Sequence, residues 1–427
     1  MSGAATTNTP VNPPEFPQVL GHPRPLWMLF MSEFWERFAF YGIRWAMVLY
    51  IVAQFHGGAA SGEQPASELY GAYLALVYAG AIFGGYVADK LIGFQRSILL
   101  GAVIMATGLF LLASPSEAMF KLGLATIIVG NGLFKPIIST MVGKLYAQGD
   151  DRRDSGFTIF YMGINIGALL APLVTQYLAK KIFGIEDMPA YKVVFIAAGI
   201  GMLLSLVWFW FGRSQLKGIG LPAAHQEGMR NVSLVLVFGV IIGIPMFYAL
   251  LTIDAKLLQA ILMALFVIPA VMLFREGVLE GKVSRDKVLA MLTIFVFNVL
   301  FWMFFEQAGS SFNFLAEKIV DRDIGMVGMF QALAGTNDFP VSWFQSVNSV
   351  AIIALAPVLA WLWVKMGRNN PIIPRKFGLG LIFNGLAFLL LMVALSGMVD
   401  DNGKIPFWTL FMVYVIQSVG ELCLSPI

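Results

Sequence analysis

Long apolar runs alternate with short polar segments along the whole chain. Each run is close to the roughly 20 residues that a helix needs to cross a bilayer. The twelve predicted spans are 26–55, 68–90, 97–114, 119–146, 156–179, 190–212, 231–253, 257–274, 288–312, 341–364, 377–398 and 405–427. The pattern differs from the short alternating segments of a membrane β-barrel. It therefore predicts an all-α polytopic membrane protein.

The basic residues are distributed unevenly between alternate loops. Of the 28 lysines and arginines, 17 lie on one side of the predicted spans, 8 on the other and 3 within spans. Because loops rich in Lys and Arg remain in the cytoplasm, this bias places the N-terminus there. Residues 1–25 are polar and proline-rich and lack the basic start and apolar core of a signal peptide. We expect them to form a disordered cytoplasmic tail.

The composition supports a membrane protein and limits the kinds of partner that we expect it to bind. The chain is 58% hydrophobic and 12% charged, and this charged fraction is about half that of a soluble domain. The net charge is +3, and the basic residues lie mainly in short loops between the spans. We therefore expect a lipid bilayer and no nucleic acid as partner. A single cysteine, Cys423, excludes an internal disulfide. We expect no cofactor and no metal.

The segment SEFWERFAFYGIRW in the first span carries four ionisable residues. Each such group costs at least a few kcal/mol at membrane depth unless it faces a partner or water. At about 100° per residue, Glu33, Arg37, Tyr41 and Arg44 share one stripe about 16 Å long, with Glu36 at its edge. The stripe predicts a polar interior. The alternative is an internal Glu33–Arg37 ion pair that only fixes packing.

Other spans carry side chains that can face this stripe. The fourth span holds Lys135, and three more hold polar pairs one helical turn apart. These pairs are Tyr161 with Asn165, Trp302 with Glu306, and Glu421 with Ser425. A single polar residue in a span is more often a helix–helix contact than a ligand contact. Several pairs with opposite charges on separate helices favour a central polar site.

The motifs on these spans resemble those of the proton-dependent oligopeptide transporters, the POT family of the major facilitator superfamily. They are ExxERFxxYG at 33–42, GNGLFKP at 130–136, FYMGINIG at 160–167, FWMFFEQAGSS at 301–311, FQSVN at 344–348 and GELCLSP at 420–426. The loop GGYVADKLIGFQR also resembles the superfamily signature, through Gly85, Asp89, Lys90, Gly93 and Arg96. The resemblance implies that Gly85 lets helices approach and that the charges bridge helix ends on the cytoplasmic side. The resemblance implies a transporter, not an enzyme, that carries di- and tripeptides with protons across the bacterial inner membrane.

The resemblance also assigns roles to individual residues. Proton coupling falls on Glu33, Glu36, Arg37, Lys135 and Glu306. The peptide carboxylate would be held by Arg44 and Lys135, and the peptide amine by Glu421. The remaining pocket residues are Tyr41, Tyr78, Tyr161, Asn165, Trp302, Asn348 and Ser425. We expect Lys135 to pair with Glu33 or Glu36, Arg44 with Glu306, and, in another access state, Lys135 with Glu421.

Twelve spans equal the number in this superfamily, but we interpret them differently. Spans 231–253 and 257–274 contain no charged residue and fit the two-helix hairpin that bacterial members insert between two six-helix bundles. The domains are then 26–213 for the first bundle, 229–275 for the hairpin and 284–427 for helices seven to ten. On this interpretation the last two helices are missing. A plain twelve-helix protein is the alternative.

Three other functions remain open at this stage. The same fold could carry an inorganic anion, a sugar, a drug or an amino acid, although Glu421 and the acids of the first span would repel an anion. A peptide sensor without transport is a second possibility. An intramembrane enzyme is disfavoured because the sequence has neither HExxH nor GxSxG.

Overall fold

A computed structural model describes residues 13–185, 189–222, 228–335 and 337–424. Two strands, β1 (Gln18–Val19) and β2 (His22–Pro23), form an antiparallel pair ahead of the helices. The helices of the described chain are α1 (Arg24–Phe55), α2 (Glu63–Val87), α3 (Phe94–Leu112), α4 (Glu117–Gly143), α5 (Arg152–Gln176), α6 (Tyr191–Gly212), α7 (Met229–Phe238), α8 (Ile244–Thr252), α9 (Ala255–Glu280), α10 (Lys282–Phe305), α11 (Ser311–Lys318), α12 (Gly328–Ala334), α13 (Val341–Met366), α14 (Ile373–Gly397) and α15 (Phe407–Leu424). Short π-helical turns extend α2 and α5 and join α7 to α8.

Twelve helical segments of the described chain are long and apolar enough to cross a membrane. They coincide with the twelve predicted spans, so the prediction of an all-α polytopic membrane protein is confirmed. Several helices are longer than predicted; α10, for example, begins at Lys282 rather than at residue 288. The apolar pattern ends where charged residues begin, whereas the backbone hydrogen bonds of the helix continue beyond that point.

Among helices α1–α6, α1 contacts α5 and α6, while α4 contacts α2 and α3. The contact of α2 with α4 depends on Gly84, because a Cβ there would overlap the carbonyl group of Gly132. Small residues let membrane helices approach in this way. The loop signature predicts that Gly85 is the glycine of close approach, and this prediction is wrong. A Cβ on Gly85 would meet nothing within 4 Å.

Helices α7–α9 lie at the periphery. Of their described side chains, few are buried: Phe247 and Leu251 on α8, and Leu258 on α9. Helix α8 packs against α4 and α2, whereas α9 packs against α10. A lipid-facing position agrees with the absence of charge in spans 231–253 and 257–274, because only apolar side chains face hydrocarbon cheaply.

The carboxy-terminal helices α10–α15 contact the amino-terminal helices mainly through α13 on α5. The Ser346 hydroxyl donates to the Leu169 carbonyl at 2.9 Å, and the Ser342 hydroxyl donates to Gln176 at 3.3 Å. Near the same end of the molecule, Lys318 of α11 forms an ion pair with Glu63 of α2. We call this end the Lys318 end. The two halves are therefore joined from the middle of the helices to the Lys318 end.

The structure differs from the predicted disordered tail in residues 13–25. Strands β1 and β2 dock at the start of α5, where the guanidinium of its first residue, Arg152, donates to the Gln18 side chain and to the Gly21 carbonyl, both at 3.2 Å. The ring of buried His22 lies 2.9 Å from the Tyr146 hydroxyl. A few such anchoring contacts order the segment, and its average composition does not reveal them.

Candidate functional site

The ionisable residues of α1 are buried among neighbouring helices. Glu33 and Glu36 are 0% exposed, and Arg37 and Arg44 are each 7% exposed. The polar stripe predicted on α1 therefore faces the protein interior. Charges buried in this way are stable only when they are paired or hydrogen-bonded, so their partners define the site.

Arg37 is held mainly by its neighbour Glu36. Its Nε and one terminal nitrogen each lie 2.5 Å from a Glu36 oxygen, whereas Nε is 3.5 Å from Glu33. Asn131 of α4 donates to the same Glu36 carboxylate at 3.5 Å. A Glu33–Arg37 ion pair that only fixes packing is thus a minor part of the arrangement, because the two-pronged contact uses Glu36.

Glu33 is free to pair with another helix. One of its oxygens contacts the Lys135 ammonium group of α4. The other oxygen, Oε2, is buried and has no hydrogen-bond partner among the described residues. The Lys135 side chain remains 31% exposed. This is the predicted pairing of Lys135 with an acid of the first span, and Glu33, not Glu36, is the partner.

Arg44 joins the two halves. A terminal nitrogen of its guanidinium lies 2.7 Å from Glu306, at the end of α10, and its Nε donates to the Tyr70 hydroxyl of α2 at 3.1 Å. The expected Arg44–Glu306 pair is therefore present. Sequence reasoning missed Tyr70, which is one of four tyrosines on the span that carries Tyr78. A Cβ on Gly309 would overlap the Tyr70 hydroxyl, so glycine is required opposite this tyrosine.

Glu421 of α15 has a different set of partners. The Asn348 amide of α13 donates to Glu421 and to Ser418, both at 2.9 Å. The hydroxyl of Tyr161 on α5 is a further hydrogen-bonding neighbour of Glu421. No Lys135–Glu421 ion pair occurs in the described chain. Ser425 lies outside the described residues.

The other predicted lining residues differ in how they are placed. Asn165 donates to the carbonyl of Tyr161, one turn away on its own helix, at 3.0 Å. The Tyr41 ring lies 5.8 Å from the Arg44 guanidinium, and the Trp302 indole donates to Asn298 at 3.1 Å. A cavity of about 1260 Å³ is lined in part by Tyr70, Tyr78, Trp302 and Glu306.

Comparison with known proteins identifies the class of molecule. The family model described as "POT family" matches residues 95–427. The chain belongs to the POT family. The chain is 35% identical to "Peptide transporter YePEPT" of Yersinia enterocolitica, covering 99% of this chain and 83% of that protein. It is 34% identical to "Dipeptide and tripeptide permease B" of Salmonella typhimurium, covering 95% and 79%, and 34% identical to "Uncharacterized transporter YclF" of Bacillus subtilis, covering 95% and 80%.

Solved structures give the same result for the fold. A crystal structure of a peptide transporter POT in complex with sulfate matches with a TM-score of 0.79 at 34% identity, covering 96% of this chain and 82% of that one. A POT family transporter in complex with 5-aminolevulinic acid matches with a TM-score of 0.78 at 32% identity, covering 96% and 83%. The molecule is thus a multi-pass transporter with the major facilitator fold, and not an enzyme.

The loop signature of this POT transporter lies at the opposite end from Lys318. Gly93 has a φ of +78° where the turn Ala88–Ile92 meets α3, a conformation that favours glycine. A Cβ there would also lie 2.7 Å from the backbone of Pro222. Asp89 and Lys90 lie in that turn, and Arg96 lies in the first turn of α3. These residues thus lie at the connection between α2 and α3.

The described part of this POT transporter contains no group of three His, Cys, Asp or Glu residues that could hold a metal ion. Its buried charges instead form three ion-pair centres and one acid–amide centre. The ion pairs are Lys135 with Glu33, Arg37 with Glu36, and Arg44 with Glu306, and the fourth centre is Glu421 with Asn348. The basic residues come from the amino-terminal half and Glu421 from the carboxy-terminal half.

Proposed function

We propose that this protein carries di- and tripeptides together with protons into the bacterial cell by alternating access. The observation that supports this proposal most is the placement of opposite charges on facing halves. Arg44 and Lys135 lie on α1 and α4, and Glu421 lies on α15. A zwitterionic peptide has fixed charges of opposite sign at its two ends, so this arrangement matches its dipole.

In the proposal, Arg44 and Lys135 hold the peptide carboxylate and Glu421 holds the peptide amine. Asn348 orients Glu421, since its amide donates to that carboxylate at 2.9 Å. Tyr161 and Trp302 supply contacts that tolerate different side chains. Both basic residues are already paired with acids, so a peptide carboxylate has to compete with Glu33 and Glu306 for them.

That competition offers a route to proton coupling. Protonation removes the charge of Glu33 and weakens its hold on Lys135, which becomes available to the substrate. The unpartnered oxygen of Glu33 supports this role, because a proton can be placed on it without displacing a hydrogen bond from another described residue. Glu306 can act in the same way on Arg44, and its side chain is 26% exposed and therefore reachable by water.

Alternating access in this proposal is a rocking of residues 26–213 against residues 284–427, with 229–275 as a peripheral hairpin. The bias of basic residues puts the N-terminus in the cytoplasm and the Lys318 end outside. The ion pair of Lys318 with Glu63 lies at that end, and so does the hydrogen bond of Ser342 with Gln176. The conformation described here then corresponds to a transporter closed on its outer side.

The test is uptake of labelled dialanine into liposomes that contain the full-length protein, with and without an inward proton gradient. We expect gradient-driven uptake by the unmodified protein, its loss in Glu33→Gln and Lys135→Ala, and retained exchange of external for internal peptide in Glu33→Gln. Asp286→Asn is the control, because Asp286 forms an exposed ion pair with Arg285 at 2.8 Å.

The outcomes separate the proposal from its alternatives. Uptake of another solute in place of dialanine would keep the family and reject the substrate. Binding of dialanine without any uptake would indicate a sensor. Equal loss of uptake in Asp286→Asn would mean that the effect of the buried substitutions is not specific to the proposed site.

A further inference from the structure

Asn313 is a polar side chain buried where the two halves meet. It lies on α11 and is 1% exposed. Its Nδ2 donates to the carbonyl of Trp45 on α1 at 3.3 Å and to the carbonyl of Gly309 at 3.2 Å. A buried amide is costly unless its hydrogen bonds are made. Separation of α1 from α11 would therefore leave one hydrogen bond of this buried side chain unmade.

Gln345 of α13 completes the arrangement on the carboxy-terminal side. Its Nε2 donates to the Asn313 oxygen at 3.2 Å and also to the carbonyl of Ala308. The Tyr414 hydroxyl of α15 donates to the same carbonyl at 3.4 Å. Ala308 belongs to the short helical turn Glu306–Gly309. The two amides thus fix the turn that carries Glu306.

Trp45 makes the matching connection on the amino-terminal side. It is 1% exposed, and its indole donates to the Thr175 hydroxyl of α5 at 3.0 Å. Trp45 directly follows Arg44, whose guanidinium lies 2.7 Å from Glu306. A charged contact and an uncharged contact between the halves therefore lie side by side.

We infer that Asn313 is a positioning residue, which clamps the turn of Glu306 to α1 and so keeps Glu306 against Arg44. The inference rests on the proposed function, since a clamp between the halves matters only if they move apart. The ion pair is weakened when Glu306 is protonated or when a peptide competes for Arg44. The amide contact carries no charge and is unaffected by either event, so it favours the state closed at the Lys318 end throughout.

Distances between spin labels test the clamp directly. Cys423 is 1% exposed, and Cys423→Ser gives a background for labels on introduced cysteines. Labels at exposed Ser61 and Asp401 report the separation of the halves at the Lys318 end. The measurement uses the full chain in liposomes, at one pH and without peptide.

For Asn313→Leu we expect the open-to-closed ratio at the Lys318 end to rise about fivefold. The estimate follows because one buried hydrogen bond contributes about 1 kcal/mol. A second label pair at exposed Gln148 and Asn369 should shorten in the same molecules, since one end closes as the other opens. If Asn313→Leu does not fold, Asn313→Ser is used, because a serine hydroxyl is too short to reach the Trp45 carbonyl.

Asn384→Leu is the matched control. Asn384 is 2% exposed, donates to the Phe301 carbonyl at 3.0 Å and accepts from the Gln417 amide at 2.9 Å. It thus resembles Asn313 in burial and bonding, but all its partners lie in one half. Asn384→Leu should lower stability without changing the separation of the halves. An equal opening in this variant, or no opening in a folded Asn313 variant, would overturn the inference.

The distance measurement needs neither peptide nor protons, so the clamp and the proposed function can fail separately. Opening by Asn313→Leu in a protein that takes up no peptide would support the clamp and reject peptide transport. Peptide uptake by a protein whose halves do not respond to Asn313→Leu would support transport and reject the clamp.

Discussion

Glu33 and Lys135 form an ion pair across α1 and α4, although they are 102 residues apart in the sequence. The acid is fully buried and the base is partly exposed. A proton that binds Glu33, or a carboxylate that binds Lys135, would therefore have to break this ion pair.

The Tyr70 hydroxyl should contribute to substrate affinity through Arg44. Tyr70→Phe keeps the ring and removes only the group that accepts from the Arg44 Nε at 3.1 Å. Hydrogen bonds to charged groups contribute about 1.5–3 kcal/mol, so the KM for dialanine should rise by at least about tenfold, with less effect on the maximal rate.

Tyr73→Phe is the control for that measurement. The Tyr73 hydroxyl is buried and has no hydrogen-bond partner among the described residues. Its removal should leave the KM unchanged and should not lower stability. Equal KM values for the two variants would show that Tyr70 does not act on Arg44.

Gly84 and Gly85 should differ sharply when each is replaced by alanine. A Cβ at residue 84 overlaps the Gly132 carbonyl group, whereas a Cβ at residue 85 meets nothing within 4 Å. Overpacking costs about 1–3 kcal/mol, so Gly84→Ala should lower the thermal unfolding midpoint in detergent. Gly85→Ala should leave it unchanged or raise it, because alanine favours a helix by up to about 1 kcal/mol over glycine. Equal midpoints would mean that α2 does not approach α4 in this way.

Glu421→Gln should discriminate between peptides by their amino terminus. If Glu421 holds the peptide amine, the loss of its charge should raise the inhibition constant of dialanine by about tenfold or more. Peptides with an acetylated amine should bind equally to the variant and to the unmodified protein. A uniform loss for both kinds of peptide would assign Glu421 a structural role instead.

The docked N-terminal segment should be sensitive to acid only at low pH. Hydrogen bonds from the side chain and backbone of Arg152 lower the pKa of Asp150 to about 2, from an ordinary value near 3.8. A lowered pKa means that stabilisation is complete above the unfolded value and is lost as the pH falls toward the folded value.

Hydrogen exchange of backbone amides in 18–24 can measure this effect. Asp150→Asn should speed exchange relative to the unmodified protein by the same factor at pH 7 and pH 5. The difference should shrink only below about pH 4 and vanish near pH 2. A difference that fades between pH 7 and pH 5 would show that a group other than Asp150 is responsible.

The spans could be predicted from the sequence because their length and apolarity are properties of each segment alone. Partners within the site could be predicted only in part. The sequence offers two acids of α1, Glu33 and Glu36, as partners for Lys135. Because Arg37 forms hydrogen bonds with Glu36, Glu33 is the acid that pairs with Lys135. Gly84 and Gly85 point about 100° apart on α2, and a sequence does not show which direction faces α4.

Tyr70 and Asn313 were missed for a different reason. Each owes its role to a partner on another helix, 26 residues away for Tyr70 and Arg44 and 268 residues away for Asn313 and Trp45. The partner of Asn313 is moreover a backbone carbonyl, which every residue carries. No composition or spacing rule marks such a partner.

Helix α4 lacks one backbone hydrogen bond next to Lys135. Pro136 follows Lys135 inside the helix and has no N–H to donate to the Gly132 carbonyl four residues earlier. That carbonyl lies against Gly84 of α2 instead. The turn that carries Lys135 therefore has one backbone hydrogen bond fewer than a regular helix, so fewer hydrogen bonds resist bending there. Lys135 thus lies where α4 can bend most easily, while the first half of the helix is packed against α2 and α3.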